Sequence, residues 1–197
     1  PATVSIIHRT LRAMLSSAID DGVIEANPAA RLGRTLRLAP SKATHQEEIK
    51  AMTRGQLIAF LAKARIVEPK WFPLFLLLAR TGLRIGEALA LKWDDIDLAG
   101  TSLRVARALA DDGHTVDTPK SGHGRDVDLS RQLVTALRRL DLAQTAHALK
   151  TGTPRPEWVF PARTGSMLDP HNVRRAFRRT LKLAELSPHF TPHCLRH

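Results

Sequence analysis

The sequence predicts an α+β fold, mainly helical, with a small antiparallel sheet set among the helices. Apolar residues recur at three- and four-residue spacing up to about residue 91. They alternate around Leu103 and Val105, then return to helical spacing after Ser130. Helices, then strands, then helices is the order of an α+β domain, and it argues against the strand–helix alternation of a doubly wound parallel sheet.

The elements are justified in chain order. Val4, Ile7, Leu11, Met14, Leu15, Ala18 and Ile19 mark an amphipathic helix that ends at Asp20-Asp21-Gly22. Asn27-Pro28 opens a second short helical turn toward Leu32. Periodicity lapses from Gly33 to Lys50, which reads as a linker. Thr53 with Gln56 three residues on is a capping-box start for a helix holding Leu57, Ile58, Phe60 and Leu61. Helices are expected from about Trp71 to Ala79 and from about Arg84 to Leu91, with Thr81-Gly82 as the break between them. Trp93–Leu98 and Ser102–Ala106 read as strands about Ala99-Gly100, and Val116–Lys120 and Arg125–Leu129 as a hairpin about residues 121–124. A helix from Ser130 turns Leu133, Leu137 and Leu140 inward, and Trp158–Phe160 is a short buried strand or extended segment. The last clear helix starts near Asp169, with Val173, Phe177, Leu181 and Ala184 on its apolar face.

Composition limits the function. The chain has 197 residues, 43% of them hydrophobic, which is ordinary globular usage. Its single cysteine, Cys194, excludes an internal disulfide and suits a reducing cytoplasm. The longest apolar run, Trp71–Ala79 interrupted by Pro73, is too short to cross a bilayer, and with no charged-then-apolar stretch at the start of these residues a secretion signal is not expected. Thirty Lys and Arg against 19 acids give a net charge of +11, which points to a polyanionic partner. The chain starts at Pro1, so it is expected to be a piece of something longer.

Several residues suit phosphate chemistry, and each has an ordinary alternative. Arg174, Arg175, Arg178, Arg179 and Lys182 share the helix face opposite Val173, Phe177 and Leu181, either as a solvated basic face or as a surface for nucleic acid. Arg84, just after Gly82 at a helix start, can present two parallel donors to a phosphate, with Glu87 one turn on to hold it. Read alone, the same pair is an ordinary surface ion pair. Lys120, at the mouth of the hairpin, can reach into a cleft and protonate a leaving oxygen, or simply be a solvated loop tip. His193 and Arg196, three apart, share a face of any helix beginning near Pro192. A metal stripe of His189, His193 and His197 competes with this, but Pro188 and Pro192 break the helix it needs.

In order, ARTGLRIGEALALKWDDIDL, TPKSGHGRDVDL, a basic helix and TPHCLRH resemble the tyrosine recombinase (phage integrase) family over roughly residues 51–197. The resemblance implies an integrase-type catalytic domain at 51–197, a linker at 33–50, and at 1–32 the C-terminal part of a helical, SAM-like core-binding domain. It implies a C-shaped clamp on double-stranded DNA, working without metal or cofactor. Arg84 and Arg196 take the roles of the family arginines that grip the non-bridging oxygens of one phosphate. His193 contacts the same phosphate, Lys120 protonates the 5′ leaving oxygen, and Glu87 supports the site. The family nucleophile is a tyrosine after HxLRH, and this sequence contains no tyrosine. The chain is therefore expected to bind DNA without cleaving it, as a fragment of a site-specific recombinase truncated before its nucleophile. The alternative is a non-catalytic DNA-binding remnant or regulator with the same fold. A generic basic helical interaction domain leaves the ordered constellation unexplained. Family members assemble on DNA as tetramers through C-terminal segments; this chain alone is expected to be monomeric and cytoplasmic.

Overall fold

The structure, a computed structural model, describes residues 2–36, 51–110, 115–118 and 124–196. The chain divides into two units, Pro1–Glu48 and Ile49–His197. In the first, α1 (Ala2–Asp20) is fastened to the segment after it by polar bonds. Asn27 Nδ2 donates to Arg12 O and Ser16 Oγ, each at 2.9 Å, and the His8 ring bonds Ala29 O at 3.2 Å. The expected apolar face is largely exposed, at Ile7, Leu11 and Met14 among others. The short helix α2 is Leu32–Thr35, so residues 33–35, read from sequence as the start of a linker, are helical.

The second unit is built around α4 (Phe72–Thr81), which is apolar on every side and buries Leu74, Phe75, Leu76, Leu77 and Leu78. Pro73 is tolerated in its first turn, where no intrahelical donor is missed. Helix α3 (Arg54–Val67) begins with the expected capping box: Thr53 N–H donates to Gln56 Oε1 at 2.9 Å, and Gln56 N–H to Thr53 Oγ1 at 3.3 Å. Helix α5 is Ile85–Leu89, α6 is Arg131–Thr151 and α7 is Pro170–Leu183. The rings of Phe60, Phe75 and Phe177 meet with centroids 4.7 to 5.8 Å apart, joining α3, α4 and α7.

Strands β1 (Ile96–Asp97), β2 (Ser102–Val105) and β5 (Arg125–Asp128) form one antiparallel sheet in the order β1-β2-β5, with Leu103 opposite Val127. Strands β3 (Ala108–Leu109) and β4 (Val116–Asp117) form a separate ribbon. This corrects the expected hairpin of Val116–Lys120 with Arg125–Leu129, since the two segments belong to different sheets. The missed strand, β3, is two residues long and too short to carry a period. Trp93–Asp95, read as strand, is a 3-10 turn that Asp95 closes by accepting from Lys92 N–H at 2.8 Å. Among the described residues no helix is long and apolar enough to cross a membrane.

Gly86 decides how closely the ribbon approaches α5. A Cβ there would stand 3.0 Å from Leu109 O and 3.5 Å from Leu109 Cβ. Gly86→Val is expected to destabilise the unit by about 1–3 kcal/mol through overpacking, with Gly86→Ala smaller. Thermal unfolding of both variants checks it, and an unshifted melting midpoint for the valine contradicts it.

Candidate active site

The site is built where α4 ends. Gly82 closes that helix at φ 63°, a left-handed conformation that favours glycine, and Leu83 is buried beside it. The chain then leaves extended at Arg84 and turns at once into α5. Arg84 N–H donates to Glu87 Oε2 at 2.8 Å, and its Nη1 to Glu87 Oε1 at 3.1 Å. Glu87 is 1% exposed, whereas the Arg84 side chain is 44% exposed. The pair is thus not the ordinary surface ion pair of the local reading: its acid is buried and its base faces out.

A residue the sequence reading missed completes this arrangement. Arg125, the first residue of β5, donates from Nη1 to Glu87 Oε1 at 3.0 Å and from Nη2 to Oε2 at 2.7 Å. The signal that could have found it is the period of β5, which puts Arg125 on the same face as the core-packed Val127. A cation on an inward face needs an acid, and Glu87 is that acid. Burial alone pushes the Glu87 carboxyl up. The Arg125 hydrogen bonds, the Arg84 backbone bond, the Arg125 charge and the Arg84 side-chain bond outweigh it and hold the group below its ordinary 4.5. In return, hydrogen bonding to Glu87 raises the pKa of Arg125, against the opposing effect of burial.

That depression has a consequence for acid stability. A carboxyl lowered in the folded state stabilises the fold above its unfolded pKa, and the contribution is lost as pH falls through the folded value. Stability is therefore expected to fall more steeply below pH 4.5 in the native protein than in Glu87→Gln. Parallel curves of unfolding free energy against pH would contradict this.

The 3-10 turn Pro192–Arg196 packs against α4, anchored by buried Cys194 and Leu195. His193 is exposed and Arg196 half-buried, and a three-residue period puts them on one side of the turn. Arg196 lies against Gly82: its Cγ and its carbonyl oxygen are each 3.8 Å from where a Cβ at 82 would be. The fold thus brings Arg196 beside the turn that leads into Arg84, although 112 positions separate the two in sequence. Lys120, predicted to lie at a hairpin mouth, lies outside the described residues, as does His197.

On α7, Val173, Phe177 and Leu181 are buried, and Arg174, Arg175, Arg178, Arg179 and Lys182 are exposed. The five cations do not all stand alike. Arg179 Nε is paired with Glu68, a buried acid just after α3, and Arg175 Nη2 donates to Asn172 Oδ1 at 2.9 Å.

Solved structures that share this fold include two integrases bound to DNA. The Tn1549 transposon integrase in complex with transposon right end DNA superposes with a TM-score of 0.79 at 24% identity, covering 100% of this chain and 64% of that one. A lambda integrase dimer bound to a COC′ core site gives 0.69 at 22% identity, covering 99% and 64%. Residues 50–197 match the model of the phage integrase family, and the chain belongs to that family. Tyrosine recombinase XerC of Mycobacterium tuberculosis is 30% identical over 207 residues, covering 100% of this chain. A XerC-like tyrosine recombinase of Caldanaerobacter subterraneus is 26% identical over 212 residues, covering 99%. The chain spans 62% and 53% of the lengths of those two relatives.

Proposed function

We propose that this chain is the DNA-gripping portion of a site-specific tyrosine recombinase. The observation that carries the reading is the Arg84–Glu87 pair, acid buried and base exposed, with Arg196 seated on the adjacent Gly82. A phosphodiester carries its charge on two non-bridging oxygens, and that charge grows in the pentavalent transition state. Two guanidiniums are suited to it because each presents parallel donors. In this reading His193 adds an imidazole to the same phosphate, Lys120 protonates the 5′ leaving oxygen and Glu87 holds Arg84. Arg174, Arg175, Arg178 and Lys182 meet flanking phosphates; Arg179 faces the same way but its guanidinium is already paired with Glu68. Residues 1–32 belong to a helical core-binding domain, joined to the domain at 51–197 by a segment that opens with the short helix Leu32–Thr35. Cleavage through a 3′-phosphotyrosyl bond needs a phenol, which these 197 residues do not contain.

The experiment is a duplex DNA titration across salt concentrations. Binding is expected to weaken steeply with salt, with a log–log slope of about −3.6 to −4.5 if four or five phosphates are neutralised. No covalent protein–DNA adduct is expected from this chain. A slope near zero contradicts the DNA-binding reading, and a denaturant-resistant adduct contradicts the need for an outside phenol.

A further inference from the structure

The Glu87 carboxylate accepts four hydrogen bonds, two from Arg84 and two from Arg125. The Arg125 bonds are a parallel fork at 3.0 and 2.7 Å, which fixes the plane of a carboxylate as well as its place. Arg84 gives its side chain more sparingly. One bond, from Nη1 at 3.1 Å, leaves most of that guanidinium's N–H groups outside the pair. The fork comes from a rigid element, because Arg125 is paired in register with Val105 of β2. Gly124 before it lies so close to β2 that a Cβ would stand 3.2 Å from Val105 O.

Removing Arg125 leaves the buried carboxylate short of donors. Two carboxylate oxygens lose their fork in a place only 1% exposed, where water cannot replace it. The donor already at hand is Arg84, which then gains by turning inward to pair with both oxygens.

We propose that Arg125 is a positioning residue for phosphate capture: by saturating Glu87 it keeps that carboxylate from drawing Arg84 away from its phosphate. The proposal rests on the reading of Arg84 as a phosphate ligand. Arg125 acts through Glu87, so its effect belongs to the carboxylate and vanishes when the carboxylate does.

The test titrates the 197-residue protein against a short fluorescein-labelled DNA duplex. Arg125→Gln is expected to weaken binding about tenfold, the effect of losing hydrogen bonds to a charged group. Arg125→Lys, which keeps the charge and loses the fork, is expected to recover part of the loss. In a Glu87→Gln background, either change at Arg125 is expected to alter affinity by less than about twofold. Full-strength binding by Arg125→Gln, while Arg84→Ala binds weakly, overturns the proposal and leaves the reading of Arg84 intact. An equal loss in both backgrounds also overturns it, because Arg125 then acts on the DNA directly and not through Glu87. If Arg125→Gln does not fold, Arg125→Lys decides: native affinity with Glu87 present overturns the proposal. Full-strength binding by Arg84→Ala instead removes the reading beneath it, and the proposal falls with that reading.

Discussion

Phe177→Ala is expected to lower the unfolding free energy of the larger unit by about 3–5 kcal/mol. Phe177 is fully buried, and its ring meets Phe60 at 4.7 Å and Phe75 at 5.8 Å between centroids. It is the point where the last long helix, α7, locks onto α3 and α4. Truncation removes the ring's transfer energy and leaves a cavity among neighbours held by their own helices, so little collapse is available to offset it. Denaturant unfolding measures the effect as a lowered midpoint at constant slope. A loss below about 1 kcal/mol is the size expected of a surface change and would show that the three rings are not the core. The functional stake is indirect. Helix α7 carries the basic face, and the 3-10 turn bearing His193 and Arg196 follows it.

Arg84→Ala is expected to weaken duplex DNA binding by about ten- to a hundredfold, the range for losing a charge-assisted fork to a buried-side anion. Arg84→Lys is expected to recover only a small part, since an ammonium offers a point charge where the phosphate presents two oxygens. Anisotropy titrations at one fixed salt concentration measure both. The two variants keep the Glu87–Arg125 fork, so their folds are expected to survive with circular dichroism unchanged. Native affinity in Arg84→Ala would remove Arg84 from the DNA interface. Equal affinity in Arg84→Lys and the native chain would mean that charge alone is read there and fork geometry is not.

How much of this was legible in the sequence depended on how local each signal was. The capping box at Thr53, the glycine break at 82 and the apolar stripe of α7 are short-range features, and each stands where the periodicity put it. The α+β class was legible for the same reason. Strand pairing was not, because β3 and β4 are two residues each and β5 pairs with β2 across an intervening ribbon. Asp95 turned an apparent strand into a 3-10 turn through one side-chain bond to Lys92 N–H, which alternation cannot register. At the site, the Arg84–Glu87 spacing was readable, but its burial was not. The inward face of β5 hinted at a paired Arg125, and nothing in the chain order said that its partner stood 38 positions earlier. Likewise the five cations of α7 looked equivalent until Glu68, far away in sequence, was seen beside one of them.

The claim on which all of this turns is that Arg84 and Arg196 hold one and the same phosphate. The most direct measurement follows the side-chain Nε–H resonances of both arginines by NMR during a titration with inorganic phosphate. Both are expected to move with a single shared midpoint, and Arg84→Ala is expected to abolish the movement at Arg196. Two different midpoints, or an Arg196 signal that still responds in Arg84→Ala as it does in the native chain, would show two unrelated cations and contradict the shared site.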